Sequence, residues 1–180
     1  MEIPSFNALL EKSIIDICDK DSLSDFKGAT FQYHDVARKI EKLHIMFESS
    51  GVVKGDKIAL CGRNSASWAV AFLATLTYGA VAVPILHEFT ADQIHNIVNH
   101  SEAKLLFVGD YVATIIDQTK MPDLEGIIYI PDYSLVVSRT DKLTYARDHL
   151  NEMFGKKYPK YFREVHVPYH PEQSPPERAL

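Results

Sequence analysis

Four short apolar runs organise this sequence: Ile58-Ala59-Leu60, the Val-rich Ala80 to Ile85, Lys104 to Val108, and Gly126 to Ile130. Helical patterns of about 10 to 15 residues separate them, and strands alternating with helices of that length make βαβ units and a mostly parallel sheet. Right-handed crossovers follow, because a twisted strand feeding a helix packs back onto its sheet only that way. The fold class is therefore α/β, a mostly parallel sheet flanked by helices. Ala80 to Ile85 is continuous rather than alternating, so it reads as a strand covered on both faces.

The segments between the runs carry their own start and stop signals. Ser5 is placed to cap an amphipathic helix through residue 17, with Phe6, Leu9, Leu10, Ile14 and Ile17 at helical spacing. Thr30 to Tyr33 reads as a short strand, and from His34 the set Val36, Ile40, Leu43 and Phe47 lies on one helical face until Gly51 stops it. Asn64 or Ser65 caps a helix through about Tyr78 that is apolar nearly all round, so the helix and its Trp68 are expected to be buried. Thr90-Ala91-Asp92-Gln93 has capping-box spacing ahead of Ile94, Ile97 and Val98. Two more helices are expected: Tyr111 to Lys120 with Val112, Ile115 and Ile116 inward, and Asp141 to Phe154 with Leu143, Ala146, Leu150 and Met153 on one face. Pro159, Pro168, Pro171, Pro175 and Pro176 exclude regular helix from the tail. The chain thus divides into an α/β unit over residues 1–155 and a proline-rich loop or arm over residues 156–180.

Composition narrows the partners. With 180 residues, 46% of them hydrophobic, the chain can bury the core of one globular domain. A net charge of −5 argues against a nucleic-acid partner, whose phosphates demand neutralisation. Lys156, Lys157, Lys160 and Arg163, interleaved with Tyr158, Tyr161 and Phe162, read as a solvated helix end and loop. Two cysteines, Cys18 and Cys61, supply no disulfide framework and suit a reducing, cytoplasmic compartment. No secretory leader is expected, since Glu2 and Pro4 stand where a basic segment belongs. Ala66 to Leu86 is uncharged and long enough to cross a bilayer, but Gly79 and Pro84 interrupt it, and a helix followed by a strand explains the same residues.

Most reactive-looking residues have structural explanations. Gly51 to Asp56 is one residue short of a phosphate loop and carries Asp where Lys is required, so it reads as a helix cap and turn. His166 and His170 have ligand-like spacing, yet Pro168 between them rules out a helical metal face, and no metal site is assigned. His95 and His100 are five apart on one helix, point away from each other, and read as surface or half-buried side chains. Cys61 ends an apolar strand and reads as buried, not nucleophilic. Ser65 lacks the Gly-x-Ser-x-Gly context of a hydrolase nucleophile, and no catalytic residue is assigned. The substrate-binding candidates are Arg63, Asn64, Ser65 and His87, the last followed by Glu88, because both groups follow parallel strands at the carboxyl end, where open α/β sheets place their ligand crevices. Capping and loop duty is the alternative for each.

Five motifs occur in a telling order: Tyr33 with its helix; Gly51-Val52 through Gly55-Asp56-Lys57-Ile58-Ala59-Leu60; Asn64-Ser65 to Trp68; Gly79-Ala80-Val81-Ala82-Val83-Pro84-Ile85; and Ser101-Glu102-Ala103-Lys104-Leu105-Leu106-Phe107-Val108. Together they resemble the amino-terminal subdomain of adenylate-forming, AMP-binding acyl-CoA synthetases, with the long-chain fatty acid CoA ligases closest in flavour. The resemblance covers roughly residues 5–130. It implies a two-step ligase for the full-length parent, using ATP, Mg2+ and CoA on a fatty acid, with the rest of the same chain as partner and with room for peripheral membrane contact. The family's phosphate loop, nucleotide contacts, magnesium-binding Glu and catalytic Lys lie beyond the matched region and transfer to no residue here. Pro175-Pro176-Glu177-Arg178-Ala179-Leu180 resembles the lead-in to the phosphate loop, so residues 1–180 alone are expected to be inactive and to bind none of these cofactors tightly. His87-Glu88-Phe89 departs from the family's usual Pro or small polar residues after that strand. An aryl- or amino-acid-activating relative and a non-catalytic α/β interaction module remain the alternatives.

Overall fold

The computed structural model describes residues 5–159. Its elements in chain order are α1 (Phe6–Asp16), β1 (Asp21–Ser24), β2 (Thr30–Gln32), α2 (Tyr33–Ser49), β3 (Lys57–Cys61), α3 (Ala66–Tyr78), β4 (Val81–Ile85), α4 (Ala91–Ser101), β5 (Leu105–Val108), α5 (Asp110–Ile115), a 3-10 turn (Gln118–Lys120), β6 (Gly126–Tyr129), β7 (Leu135–Ser138), α6 (Asp141–Asp148) and α7 (Leu150–Lys157). The main sheet has the order β4-β3-β5-β6-β7, with β4, β3, β5 and β6 parallel and β7 antiparallel at the far edge. The α/β class with a mostly parallel, helix-flanked sheet is thus the observed one.

Alternation along each central strand divides the core in two. Ile58 and Leu60 of β3, Leu105 and Phe107 of β5 and Ile128 of β6 belong to one cluster with α2, α3, α6 and α7. Ala59, Cys61, Leu106, Val108 and Ile127 belong to the other, closed by α4, α5 and the segment after it. Phe107 sits at the centre of the first layer, edge-on to Phe47 (6.1 Å) and Tyr133 (6.3 Å). Burying a side chain of that size contributes about 1.5–3 kcal/mol.

Several local signals act as the residues suggest. Ser65 Oγ accepts the Trp68 N–H and caps α3, while Gly79 ends it at φ +87°, a left-handed conformation that disfavours other residues. The Thr90–Gln93 capping box opens α4. Asp56 closes the turn after α2 by accepting the Val53 N–H at 2.9 Å, so this segment is a turn and no phosphate loop.

Other expectations are corrected. β4 is an edge strand in the sheet, with Val81 47% exposed, and Pro84, which has no N–H to give a neighbour, is tolerated there. The helix expected to Lys120 stops at Ile115, because Asp117 accepts the Thr119 N–H and starts a tight turn of its own. The helix expected over Asp141 to Phe154 breaks at His149, whose ring stacks on Tyr145 at 4.0 Å and bonds its carbonyl; the chain then restarts as α7 and runs to Lys157, two residues into the expected arm. Residues 160–180 lie outside the described residues. β1 and β7 were not expected from the residue pattern. Trp68 is half-buried, stacked on Phe72, because the outer side of α3 is only partly covered. α1 buries no residue, although its apolar spacing is helical. His95, expected near the surface, is 3% exposed, and its Nε2 accepts the Asp117 N–H.

Candidate functional site

The strand order reverses between β3 and β5: the chain leaves β3 toward β4 on one side, then returns to lay β5 on the other. Loops leaving the carboxyl ends of such a strand pair diverge to opposite faces of the sheet and open a crevice between them. Here that crevice holds about 380 Å³ and is lined by residues of four strand exits: Gly62, Arg63 and Ser65 after β3, His87 after β4, Gly109 and Tyr111 after β5, and Ile130 and Pro131 after β6.

Two glycines let the loops meet. A Cβ on Gly109 would sit 3.1 Å from Gly62 Cα, and one on Gly62 would sit 2.7 Å from Ile130 Cδ1 and 3.2 Å from the Gly109 nitrogen. The Gly109 N–H donates to the Cys61 carbonyl at 2.9 Å, continuing the parallel ladder to the crevice floor. Tyr133, buried behind it, donates its hydroxyl to the Ser67 carbonyl at 2.8 Å, fixing the first turn of α3 to the β6–β7 connection. Asp25 Oδ1 accepts the Ala66 N–H at 2.7 Å, so the β1–β2 turn braces the same helix end.

Three of the four sequence candidates, Arg63, Ser65 and His87, line this one crevice, and Asn64 does not. Arg63 and Asn64 are exposed and make no hydrogen bond or ion pair among the described residues, leaving the Arg63 guanidinium available to an anion. Ser65 is committed to its cap. His87 Nε2 lies 3.2 Å from Glu88 Oε1. Sequence reasoning missed Gly62, Gly109, Asp110, Tyr111, Ile130 and Pro131. The signal was present, for the rule that selected the residues after β3 and β4 applies equally to those after β5 and β6.

The electrostatics count against Cys61 as a nucleophile. Burial, with a smaller effect of the Glu88 charge, pushes the Cys61 thiol up to about 12, and its Sγ donates to the Leu86 carbonyl. It is inert at neutral pH. The Tyr129 hydroxyl donates to Asp110 Oδ1 at the crevice edge, and that bond raises the phenol above its ordinary range. Among the described residues no three of His, Cys, Asp and Glu come together as a metal-binding group, so no magnesium step is assigned to them; His166 and His170 lie outside the described residues. Among the same residues no helix is long and apolar enough to cross a membrane.

An open α/β sheet with a crevice at its switch point has the architecture in which such sheets place their ligand sites. The AMP-binding enzyme family model matches residues 11–177, and the chain belongs to that family. It is 30% identical over 159 residues to acetyl-coenzyme A synthetase 2 of Candida albicans, covering 84% of this chain and 23% of that one. Against long chain acyl-CoA synthetase 3 of Arabidopsis thaliana it is 27% identical over 106 residues, covering 59% and 16%. Among solved structures, the anthranilate CoA ligase AuaEII in complex with anthranoyl-AMP superposes with a TM-score of 0.66 at 22% identity, covering 77% of this chain and 27% of that one. The amino-terminal domain of FACL13 from Mycobacterium tuberculosis gives 0.65 at 19%, covering 83% and 36%. The chain therefore spans less than a quarter of the length of these curated relatives.

Proposed function

We propose that this chain is the amino-terminal part of an ATP-dependent fatty acid CoA ligase acting on long chains, and that its crevice forms one wall of the substrate cleft. The observation that carries the reading is the meeting of Arg63, Ser65 and His87 at the switch point of a parallel sheet, over the Gly62–Gly109 contact. In the reaction, a carboxylate oxygen attacks the α-phosphate of ATP and displaces pyrophosphate; the CoA thiol then attacks the acyl carbon and AMP leaves. Both substrates arrive as anions, and Arg63 is an uncommitted cation on their path. Ser65 holds the loop that presents it, and Glu88 orients the His87 ring.

Long-chain preference is supported by the Arabidopsis synthetase and by a long-chain-fatty-acid CoA ligase of Mycobacterium bovis, 30% identical over 99 residues. In this reading the sequence after α7 continues into the rest of the enzyme, which would carry the phosphate loop, the magnesium site and the CoA-transfer machinery. A cytoplasmic parent with peripheral membrane contact goes with this reading, and the two cysteines, which supply no disulfide framework, suit it.

ATP–pyrophosphate exchange by the full-length parent, with acids from acetate to palmitate, tests the proposal. Exchange is expected with long-chain acids, and Arg63→Ala is expected to lower kcat/KM by about 10- to 100-fold, the usual worth of one charged contact. Exchange with acetate or benzoate alone would refute the long-chain assignment. Turnover by residues 1–180 alone would refute the division of labour.

A further inference from the structure

We propose that the groove between α1 and α2 is a binding site for a primary alkylammonium, an amphiphile with one hydrocarbon chain and a protonated amine head. The groove holds about 440 Å³, within the range of pockets that take a small organic ligand. Its apolar wall consists of Leu10, Ile14, Ile15, Ala37 and Ile40. It lies by Thr77 near the carboxyl end of α3, whereas the crevice lies by Ser65 at the amino end. Twelve helical steps, about 18 Å, separate the two sites.

Charge selects the head group. The lining carries two carboxylates, Glu11 and Glu41, and neither Lys nor Arg. The cations of the same helices and of α7 beside them are committed elsewhere, with Lys12 Nζ 2.5 Å from Asp16 and Lys157 Nζ 2.6 Å from Glu48. An anionic amphiphile such as a fatty acid would be repelled from this groove, and a cationic one drawn to it.

His44 supplies the more specific mark. Its Nε2 bonds the Ala74 carbonyl at 3.0 Å, and a carbonyl only accepts, so the ring hydrogen sits on Nε2 and Nδ1 keeps its lone pair. Burial, against the opposing pull of the Glu41 charge, holds the ring below its ordinary range and so neutral at pH 7. Nδ1 then faces Glu41 Oε2 across 3.8 Å, acceptor to acceptor. The Tyr158 hydroxyl donates to that carboxylate but not to the ring, which leaves Nδ1 without a donor among the described residues. An ammonium has three N–H donors and serves the carboxylate and the ring nitrogen together. Its chain then lies along the apolar wall, covering Ile15, which is 69% exposed, and giving α1, which buries no residue, an apolar contact.

Titration calorimetry of the full 180-residue chain with hexyl-, octyl- and decylammonium, each below its micelle-forming concentration, tests this. Saturable binding is expected, tightening about 3- to 4-fold with each added methylene. Octanol and octanoate are expected to bind at least ~10-fold more weakly than octylammonium, and a Glu11→Gln/Glu41→Gln variant to lose at least ~10-fold for octylammonium. Ile15→Lys, at an exposed position, sets a competing cation beside the groove and should weaken octylammonium without moving the urea midpoint. In NMR spectra octylammonium should shift the His44 ring signals and leave the Gly62 and Gly109 amides in place. Absence of saturable binding, equal affinity for octanol and octylammonium, undiminished affinity in the glutamine variant, or shifts at Gly62 and Gly109 instead of His44 would each overturn the proposal.

Discussion

Replacing Gly62 by Ala tests whether the crevice floor is set by close contact between two strand exits. The new Cβ would stand 2.7 Å from Ile130 Cδ1, 3.2 Å from the Gly109 nitrogen and 3.3 Å from Gly109 Cα. Overpacking of this kind costs about 1–3 kcal/mol. Losing glycine's freedom in the unfolded chain returns about 0.4–1 kcal/mol, so the net expectation is a destabilisation of about 0.5–2 kcal/mol. The severest contact is with the end of a flexible side chain, which makes the cost separable. Ile130→Val removes Cδ1 and by itself costs about 0.5–1.5 kcal/mol. The double variant should therefore be more stable than the sum of the two losses, by about 0.5–1 kcal/mol. Gly109→Ala has no such relief, because its Cβ meets Gly62 Cα at 3.1 Å and backbone cannot rotate away. Urea unfolding of the natural chain and these variants, read as midpoint shifts at constant slope, measures all of these terms. Full additivity of Gly62→Ala and Ile130→Val, or a Gly62→Ala protein as stable as the natural one, would refute the reasoning.

Single residues elsewhere carry further expectations. Burial, then the nearby Arg38 charge, lowers Lys42 to about 7 from 10.5; the unfolded chain binds the extra proton between those values, so stability should rise as pH climbs from 7, and Lys42→Met should flatten that rise in urea midpoints. Cys61 has the opposite sense: an unfolded thiol ionises near 9 and the folded one near 12, so its contribution is present below 9 and lost as pH rises toward 12. A thiol reagent at pH 7.5 should accordingly label half-buried Cys18 well before Cys61; equal rates would contradict the burial argument. Ser65→Ala should cost about 1 kcal/mol of unfolding free energy through loss of the α3 cap. Trp68, half-buried and stacked on Phe72, should fluoresce between the exposed and buried extremes and be partly quenched by acrylamide.

Much of the α/β framework was legible because its signals are local. Gly79, Ser65 and the Thr90–Gln93 pair act within one helical turn, and four apolar runs announce strands by themselves. The crevice was half legible. Arg63, Ser65 and His87 were selected because they follow strands, yet their meeting with Gly109, Ile130 and Pro131 depends on which strands lie side by side. β7 escaped notice because Leu135 to Ser138 follows a turn built on Tyr133 at φ +57°, a residue type that gives no turn signal. α5 was overextended because the hydrogen bond that holds its end open comes from His95, 22 positions earlier.

The amino-acid sequence by itself determined the class of element at most positions and the alternation of two periods, since hydrophobic spacing and capping chemistry operate over a few residues. Tertiary structure alone decided the strand order, and with it that β4 lies at an edge, that the outer side of α3 is only partly covered, and that the loops after β3 and β5 part to form the crevice. The physical reason is that strand neighbours are chosen by the packing of whole layers. No residue on β3 records whether β4 or β5 will lie on its left, but the reversal between them is what opens a ligand-sized space above Gly62 and Gly109.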